Sequence, residues 1–144
     1  MVGHSNGGAE ATYNAVATGK NCIIFNPMSV NLAAYGLDDS TYEGRMWVYI
    51  VEGEILNSIF GWVSSPIRGA EVIALPNQHK TPWYILDPAG RVWFNIYNSI
   101  QNHLMGSVIS ALKEYYSPIA SASVPPAPKP TPTPVPGARP TLPG

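Results

Sequence analysis

The sequence predicts an α/β domain, with a short, mostly parallel sheet flanked by helices. The first observation is the stretch Gly3-His4-Ser5-Asn6-Gly7, whose G-x-S-x-G pattern is typical of a sharp strand-to-helix turn that presents a serine hydroxyl. The second is a run of small residues after that turn, at residues 7–18, which predicts a helix. The third is a set of short apolar runs that are continuous rather than alternating, as in strands covered on both faces of a parallel sheet.

The turn itself predicts a strained backbone at Ser5. We expect glycine to be required two residues before and two residues after the serine, at Gly3 and Gly7. A side chain at either position would prevent the strand and the helix from packing closely around Ser5. Small residues in the helix that follows allow it to pack closely on the sheet.

Two strands are predicted after this helix. Gly19 and the two residues after it end the helix, and residues 22–25 form a short apolar strand that ends at Asn26-Pro27. A mixed segment with one or two helical turns at residues 30–35 leads to the strongest strand signal, at residues 46–51, which are mostly β-branched and aromatic. Glu52-Gly53-Glu54 then forms a turn.

The next part of the chain gives weaker signals. Residues 55–60 predict a short apolar helix or lid-like segment, and residues 70–76 a third strand. Because prolines and a glycine interrupt residues 77–98, we expect a long irregular connection there, with a hairpin at residues 87–90. A final helix follows from the helical spacing of its apolar residues, with Asn102 as N-cap or with a start near Asn98.

The composition changes at Pro118, which divides the chain into a domain at residues 1–117 and a proline-rich tail at residues 118–144. Ten of the 27 tail residues are proline and two are charged, so this segment is expected to be disordered, extended and polyproline-like. A linker is favoured over a ligand for an SH3-type domain.

Composition and charge exclude several functions. The formal net charge is −1 and 12% of residues are charged, so no nucleic-acid-binding surface is predicted. Cys22 is the single cysteine, which rules out an internal disulfide and a cysteine metal site and suggests a buried small apolar residue. The sequence has no apolar run long enough for a transmembrane segment and shows no signal peptide, and it does not indicate a compartment.

A serine nucleophile needs a base to take its proton and an acid to orient that base. The chain provides these in the order serine, acid, histidine: Ser5, then Glu52 and Glu54 after the strand at residues 46–51, then His103 at the head of the last helix. His79 is the alternative base.

Three other residues carry side chains suited to this chemistry. Asp38 and Asp39 are further alternatives for the acid. His4 lies within the turn and is expected to point away from the serine, which favours a packing role.

Several of these segments together resemble lipase-like α/β-hydrolases related to class three triacylglycerol lipases and bacterial phospholipase A1-like proteins. The similarity begins at Gly3-His4-Ser5-Asn6-Gly7-Gly8 and continues through Thr18-Gly19-Lys20 and Ile24-Phe25-Asn26-Pro27. It resumes at Tyr49-Ile50-Val51-Glu52-Gly53-Glu54-Ile55-Leu56 and at the helix that includes His103-Leu104-Met105, so it covers roughly residues 2–56 and 98–113.

The resemblance implies a partial α/β-hydrolase fold and a carboxylic-ester hydrolase that acts on a lipid or other ester without a cofactor. It implies Ser5 as nucleophile, Glu54 as acid, His103 as base, and the backbone N–H of Asn6 as one oxyanion donor. Two positions depart from the family pattern, since Asn6 stands where leucine is usual and Glu54 where aspartate is commoner.

The resemblance also implies that the chain corresponds to the C-terminal part of such a hydrolase, with a second oxyanion donor and further strands upstream of Met1. Two other interpretations follow from this. One is a non-catalytic remnant or interaction module whose exposed sheet edge pairs with the missing N-terminal half. The other is a structural domain carrying a proline-rich stalk.

Overall fold

A computed structural model describes residues 1–53 and 67–123 of the protein. These residues form a four-stranded sheet in the order β1-β2-β3-β4, and every neighbouring pair is parallel. The strands are β1 (Val2–His4), β2 (Cys22–Phe25), β3 (Met46–Val51) and β4 (Ala70–Leu75). The helices are α1 (Asn6–Thr18), α2 (Pro88–His103) and α3 (Met105–Ser123), with a 3₁₀ turn at Leu32–Tyr35.

The α/β class and the three longer strands predicted from the sequence are therefore confirmed. The parallel arrangement matters for the site, because the carboxyl ends of all four strands lie at one edge of the sheet. The segments that follow β1, β2 and β3 begin at Ser5, Asn26 and Glu52, and they emerge along that same edge.

Both faces of the sheet are covered, as the continuous apolar runs predicted. On one face, α1 packs on β1 and β2, and the core there includes Ala15, Ile24, Val48 and Ile50. On the other face, α3 packs on β3 and β4 through a second core of Val51, Leu75, Val108 and Ala111. Alternate residues of β3 thus contribute to opposite cores.

Two titratable groups that pack in or against these cores favour their neutral forms. Burial raises the pKa of the Cys22 thiol, which is completely inaccessible to solvent as predicted. On the α3 face, burial and a 2.9 Å hydrogen bond with the Tyr116 hydroxyl raise the pKa of Tyr49 to about 12. These groups pack the sheet against its helices.

The segment between β4 and α3 differs from the sequence prediction. Residues 88–103 form helix α2 where an irregular connection with a hairpin at residues 87–90 was expected, so that prediction is wrong. Asp87 is the N-cap, its carboxylate accepts a hydrogen bond from Gly90 N–H, and Pro88 occupies the first helical position. Asp-Pro is a helix start as well as a turn signal, and here the helix follows because proline fixes φ in the helical range.

The C-terminal helix differs from the prediction at both ends. Asn102 is buried near the C-terminus of α2 and does not cap α3, because Leu104 adopts an extended conformation that separates the two helices. Residues 118–123 continue α3, so the segment after Pro118 begins as helix rather than as extended chain. Residues 55–60 and 124–144, for which a lid-like segment and a disordered tail were predicted, lie outside the described residues.

Candidate active site

Ser5 stands at the junction of β1 and α1 with φ 55° and ψ −124°, outside the regions that non-glycine residues normally occupy. Its main chain is held on both sides. Ser5 N–H donates to the carbonyl of Phe25 (3.1 Å), while the Ser5 carbonyl accepts from Gly8 N–H (3.0 Å) and Met28 N–H (3.2 Å). A strained residue persists only where its surroundings fix it this firmly, so the strain predicted for this turn is present.

The glycines around Ser5 have unequal roles. A Cβ at Gly3 would lie 2.2 Å from the carbonyl oxygen of Gly7, and one at Gly8 would lie 2.9 Å from Cβ of Pro27. A Cβ at Gly7 would meet no atom of the described residues within 4 Å. The expectation that Gly7 must lack a side chain is therefore wrong, because at this position the helix faces outward. Gly8 has that requirement instead.

His103 is the last residue of α2, and its Nε2 lies 2.8 Å from the Oγ of Ser5. The structure thus brings together two predicted residues that are 98 positions apart in the chain. Both side chains are partly buried, which leaves the pair accessible from one side. In the tautomer with a proton on Nδ1, Nε2 accepts the Ser5 hydroxyl proton, as a general base must.

His4 contacts the main chain of the same histidine. Its Nε2 donates to the His103 carbonyl at 2.8 Å, and the two imidazole rings lie 5.2 Å apart at an angle of 38°. The sequence suggested only a packing role for His4. Its ring instead fixes the end of α2 against the end of β1.

The structure places the alternative base, His79, beside a different serine. Its Nε2 lies 3.1 Å from the Oγ of Ser107, and this hydroxyl donates to the Gln101 carbonyl at 2.7 Å. Ser107 is buried in the first turn of α3. Of the two candidate bases, only His103 is hydrogen-bonded to Ser5.

The acid implied by the resemblance, Glu54, lies outside the described residues. Glu52 opens the turn after β3, and its side chain is exposed. Asp38 accepts hydrogen bonds from Ser40 in an exposed loop, and these bonds lower the pKa of its carboxyl. The carboxylate of Asp39 accepts from the main chain of Arg68, so both aspartates are engaged in loop structure away from His103.

The Asn6 N–H is the first amide of α1 and has no acceptor within the helix. Helix amides at this position carry a partial positive charge and stabilise anions. A groove of about 530 Å³ extends from Asn6 along α1 and is lined by Glu10, Tyr13, Met28 and Tyr35, among others. Ser5 therefore lies next to an anion-stabilising amide and an open groove.

Three aromatic residues in the segment between β4 and α3 project into solvent. Trp83, Trp93 and Tyr97 are 84%, 68% and 51% exposed, and two of them are on α2. Core packing does not account for them.

Two asparagines near His103 carry interactions that the sequence did not predict. Asn26 and Asn102 are both buried, and their side-chain amides link the ends of β2, β3, β4 and α2. The only signal in the sequence was their position, one directly after a strand and the other directly before the candidate base.

No family model matches this chain, and a search of curated proteins found no match either. Within residues 1–53 and 67–123, no helix is long and apolar enough to cross a membrane. The same residues contain no group of His, Cys, Asp and Glu side chains that could hold a metal ion.

Proposed function

We propose that the chain is a serine carboxylic-ester hydrolase of the lipase or phospholipase type, with the C-terminal half of an α/β-hydrolase fold. The observation that carries this proposal is the 2.8 Å contact between Ser5 Oγ and His103 Nε2, made by a serine with φ 55° at a strand-to-helix junction. Strained serines on such a turn, paired with a histidine, are characteristic of activated nucleophiles.

In the proposed reaction, Ser5 Oγ attacks the ester carbonyl carbon as His103 Nε2 takes the hydroxyl proton. The Asn6 N–H donates to the oxyanion of the tetrahedral intermediate, and the positive end of α1 adds to its stabilisation. His103 then protonates the departing alcohol oxygen. A water molecule, deprotonated by the same imidazole, attacks the acyl-enzyme and releases the carboxylic acid and free Ser5.

Glu54 completes the triad in this proposal, as the resemblance to class three lipases implies. Its position in the chain is suitable, since it follows the Glu52-Gly53 turn at the carboxyl end of β3, and that strand end is hydrogen-bonded to the Asn26 side chain beside His103. A carboxylate there would orient the imidazole and stabilise its protonated form. Glutamate reaches one methylene further than aspartate, so the turn has to accommodate the longer side chain.

The proposal is tested by reaction of the full chain with a fluorophosphonate probe and by hydrolysis of p-nitrophenyl esters. We expect Ser5→Ala to abolish labelling, and His103→Gln to lower kcat by about 10³-fold or more without unfolding the protein. His79→Gln is the matched control, because its imidazole contacts Ser107 and should leave labelling unchanged. Labelling that persists in Ser5→Ala, or that depends on His79 rather than His103, would contradict the proposed site.

A second proposal is an interaction module that pairs with a further hydrolase segment. It is favoured by the position of β1 at the edge of the sheet, with Val2 71% exposed, and by the exposed apolar residues of α2. The test is co-expression with the coding region upstream of Met1. We expect the interaction module to self-associate alone and to be inactive until co-expressed, whereas a monomeric, active chain would refute it.

A further inference from the structure

Asn26 occupies a strained and completely buried position directly after β2. Its φ of 39° lies in the left-handed region, and none of its surface is exposed to solvent. A non-glycine residue keeps this conformation only where its surroundings compensate for the strain. The hydrogen bonds of its side chain indicate what that compensation is.

The Asn26 side chain uses both of its polar atoms. Oδ1 accepts from Val51 N–H at 2.8 Å, and Nδ2 donates to the carbonyls of Asn102 (3.0 Å) and His103 (3.2 Å). These partners fix the orientation of the amide, because only nitrogen can donate to carbonyls and only oxygen can accept from an N–H. The amide therefore joins the end of β3 to the end of α2.

The residues on either side of Asn26 hold the nucleophile. The Phe25 carbonyl accepts from Ser5 N–H, and Met28 N–H donates to the Ser5 carbonyl. Residues 25–28 thus contact the main chain of Ser5 on both sides, while the Asn26 side chain contacts the main chain of His103. His4, the residue before Ser5, contacts the same His103 carbonyl, so two segments join the nucleophile to the end of α2.

This connection decides where the imidazole lies. The last four carbonyls of an α-helix have no partner within the helix, so the end of α2 is positioned by whatever donors it meets. Asn26 supplies the donor for two of these carbonyls, and His4 supplies a second donor for His103. A displacement of about 1 Å between a nucleophile and its base lowers the rate by about 10²-fold.

We propose that Asn26 is a positioning residue of the catalytic pair: through its side-chain amide it sets the distance between Ser5 Oγ and His103 Nε2. This role rests on the proposed hydrolase function. It predicts that changing the amide lowers the rate of the chemical step and leaves substrate binding nearly unchanged.

Two substitutions in the full chain test this role. Asn26→Asp keeps the shape and the acceptor for Val51 N–H but places an oxygen against the carbonyls of Asn102 and His103. Asn26→Gly removes the amide and relieves the backbone, because glycine tolerates positive φ. Asn21→Asp is the matched control, since the exposed Asn21 side chain accepts from Arg45 N–H before β2, at the opposite end of that strand from Asn26.

For Asn26→Asp and Asn26→Gly we expect kcat and the fluorophosphonate labelling rate to fall by about 10²-fold, with KM changed less than about threefold. The control should keep the wild-type values. A loss of fold alone would also lower the apparent kcat at constant KM, but it would reduce the extent of fluorophosphonate labelling and leave the labelling rate constant of the folded fraction unchanged. A folded Asn26 variant with wild-type labelling and kcat would overturn the role, and so would the failure of both variants to fold.

The imidazole resonances of His103, followed by NMR, separate this proposal from the hydrolase proposal. Ser5→Ala should shift these resonances by removing the hydroxyl contact, and the Asn26 variants should shift them in the same direction. If the wild-type protein does not react with the probe but these shifts agree, the hydrolase proposal fails, and Asn26 positions the His103 imidazole without a catalytic role. If Asn26→Asp leaves the His103 resonances unchanged, the positioning role fails whatever the activity.

Discussion

The substitution Gly3→Ala tests whether the turn at Ser5 depends on close contact between β1 and α1. The added Cβ would lie 2.2 Å from the carbonyl oxygen of Gly7, 2.6 Å from its carbonyl carbon and 2.8 Å from Cα of Gly8. Carbon–oxygen contacts of this kind are about 3.3 Å or longer. Strand and helix would therefore have to separate by about 1 Å, and no flexible side chain is available to move instead.

The expected cost follows from this geometry. Overpacking usually costs about 1–3 kcal/mol, and the clash at Gly3 belongs at the upper end because all three atoms are backbone. We expect the free energy of unfolding to fall by about 3 kcal/mol, a large part of the roughly 5–15 kcal/mol available to a domain. The same displacement would move Ser5 relative to His103 and lower the fluorophosphonate labelling rate by about 10²-fold.

Gly7→Ala is the matched control, because the second glycine of the same motif has no described atom within 4 Å of the new Cβ. Alanine is a better helix former than glycine by up to about 1 kcal/mol, so stability should stay unchanged or rise slightly. Urea unfolding, with the midpoint and slope fitted for both variants, measures the difference. Equal destabilisation by the two substitutions, or a Gly3→Ala variant as stable as the wild type, would refute the assignment of the close contact to Gly3.

Two further predictions concern polar groups outside the Ser5–His103 pair. Asn102→Ala should lower the free energy of unfolding by about 2–3 kcal/mol, because the Asn102 amide makes four hydrogen bonds to the loop at residues 77–79. Urea unfolding measures this loss, and an unchanged midpoint would contradict the prediction. The pKa of Tyr49 is about 12 in the folded protein, above the ordinary tyrosine value of about 10. Tyr49 should therefore contribute stability below pH 10, and this contribution should be lost as the pH rises from 10 to 12. Tyr49→Phe should weaken this loss of stability, measured by thermal unfolding between pH 9 and 12, and a parallel decline in both proteins would show that Tyr49 does not cause it.

Much of the fold could be read from local pattern. The strands at residues 22–25 and 46–51 and the small-residue helix between the first two strands depend on neighbours in the chain, so their sequences specify them. Helix α2 was missed for a local reason. Asp87-Pro88 is compatible with a turn or a helix start, and the apolar residues at 92, 93, 96, 97 and 100, which recur at helical spacing, favour the helix.

In the candidate site, too, some features follow from local sequence and others only from tertiary packing. The sequence by itself determined the strained turn at Ser5, because the G-x-S-x-G pattern is contained in five consecutive residues. Only the tertiary structure decided that His103 rather than His79 is hydrogen-bonded to that serine. It also decided that a side chain would clash at Gly8 rather than at Gly7. The tertiary structure also places the Asn26 side-chain amide against the carbonyl of His103. These outcomes depend on distances between segments far apart in the chain, which are set when helices and strands pack against each other.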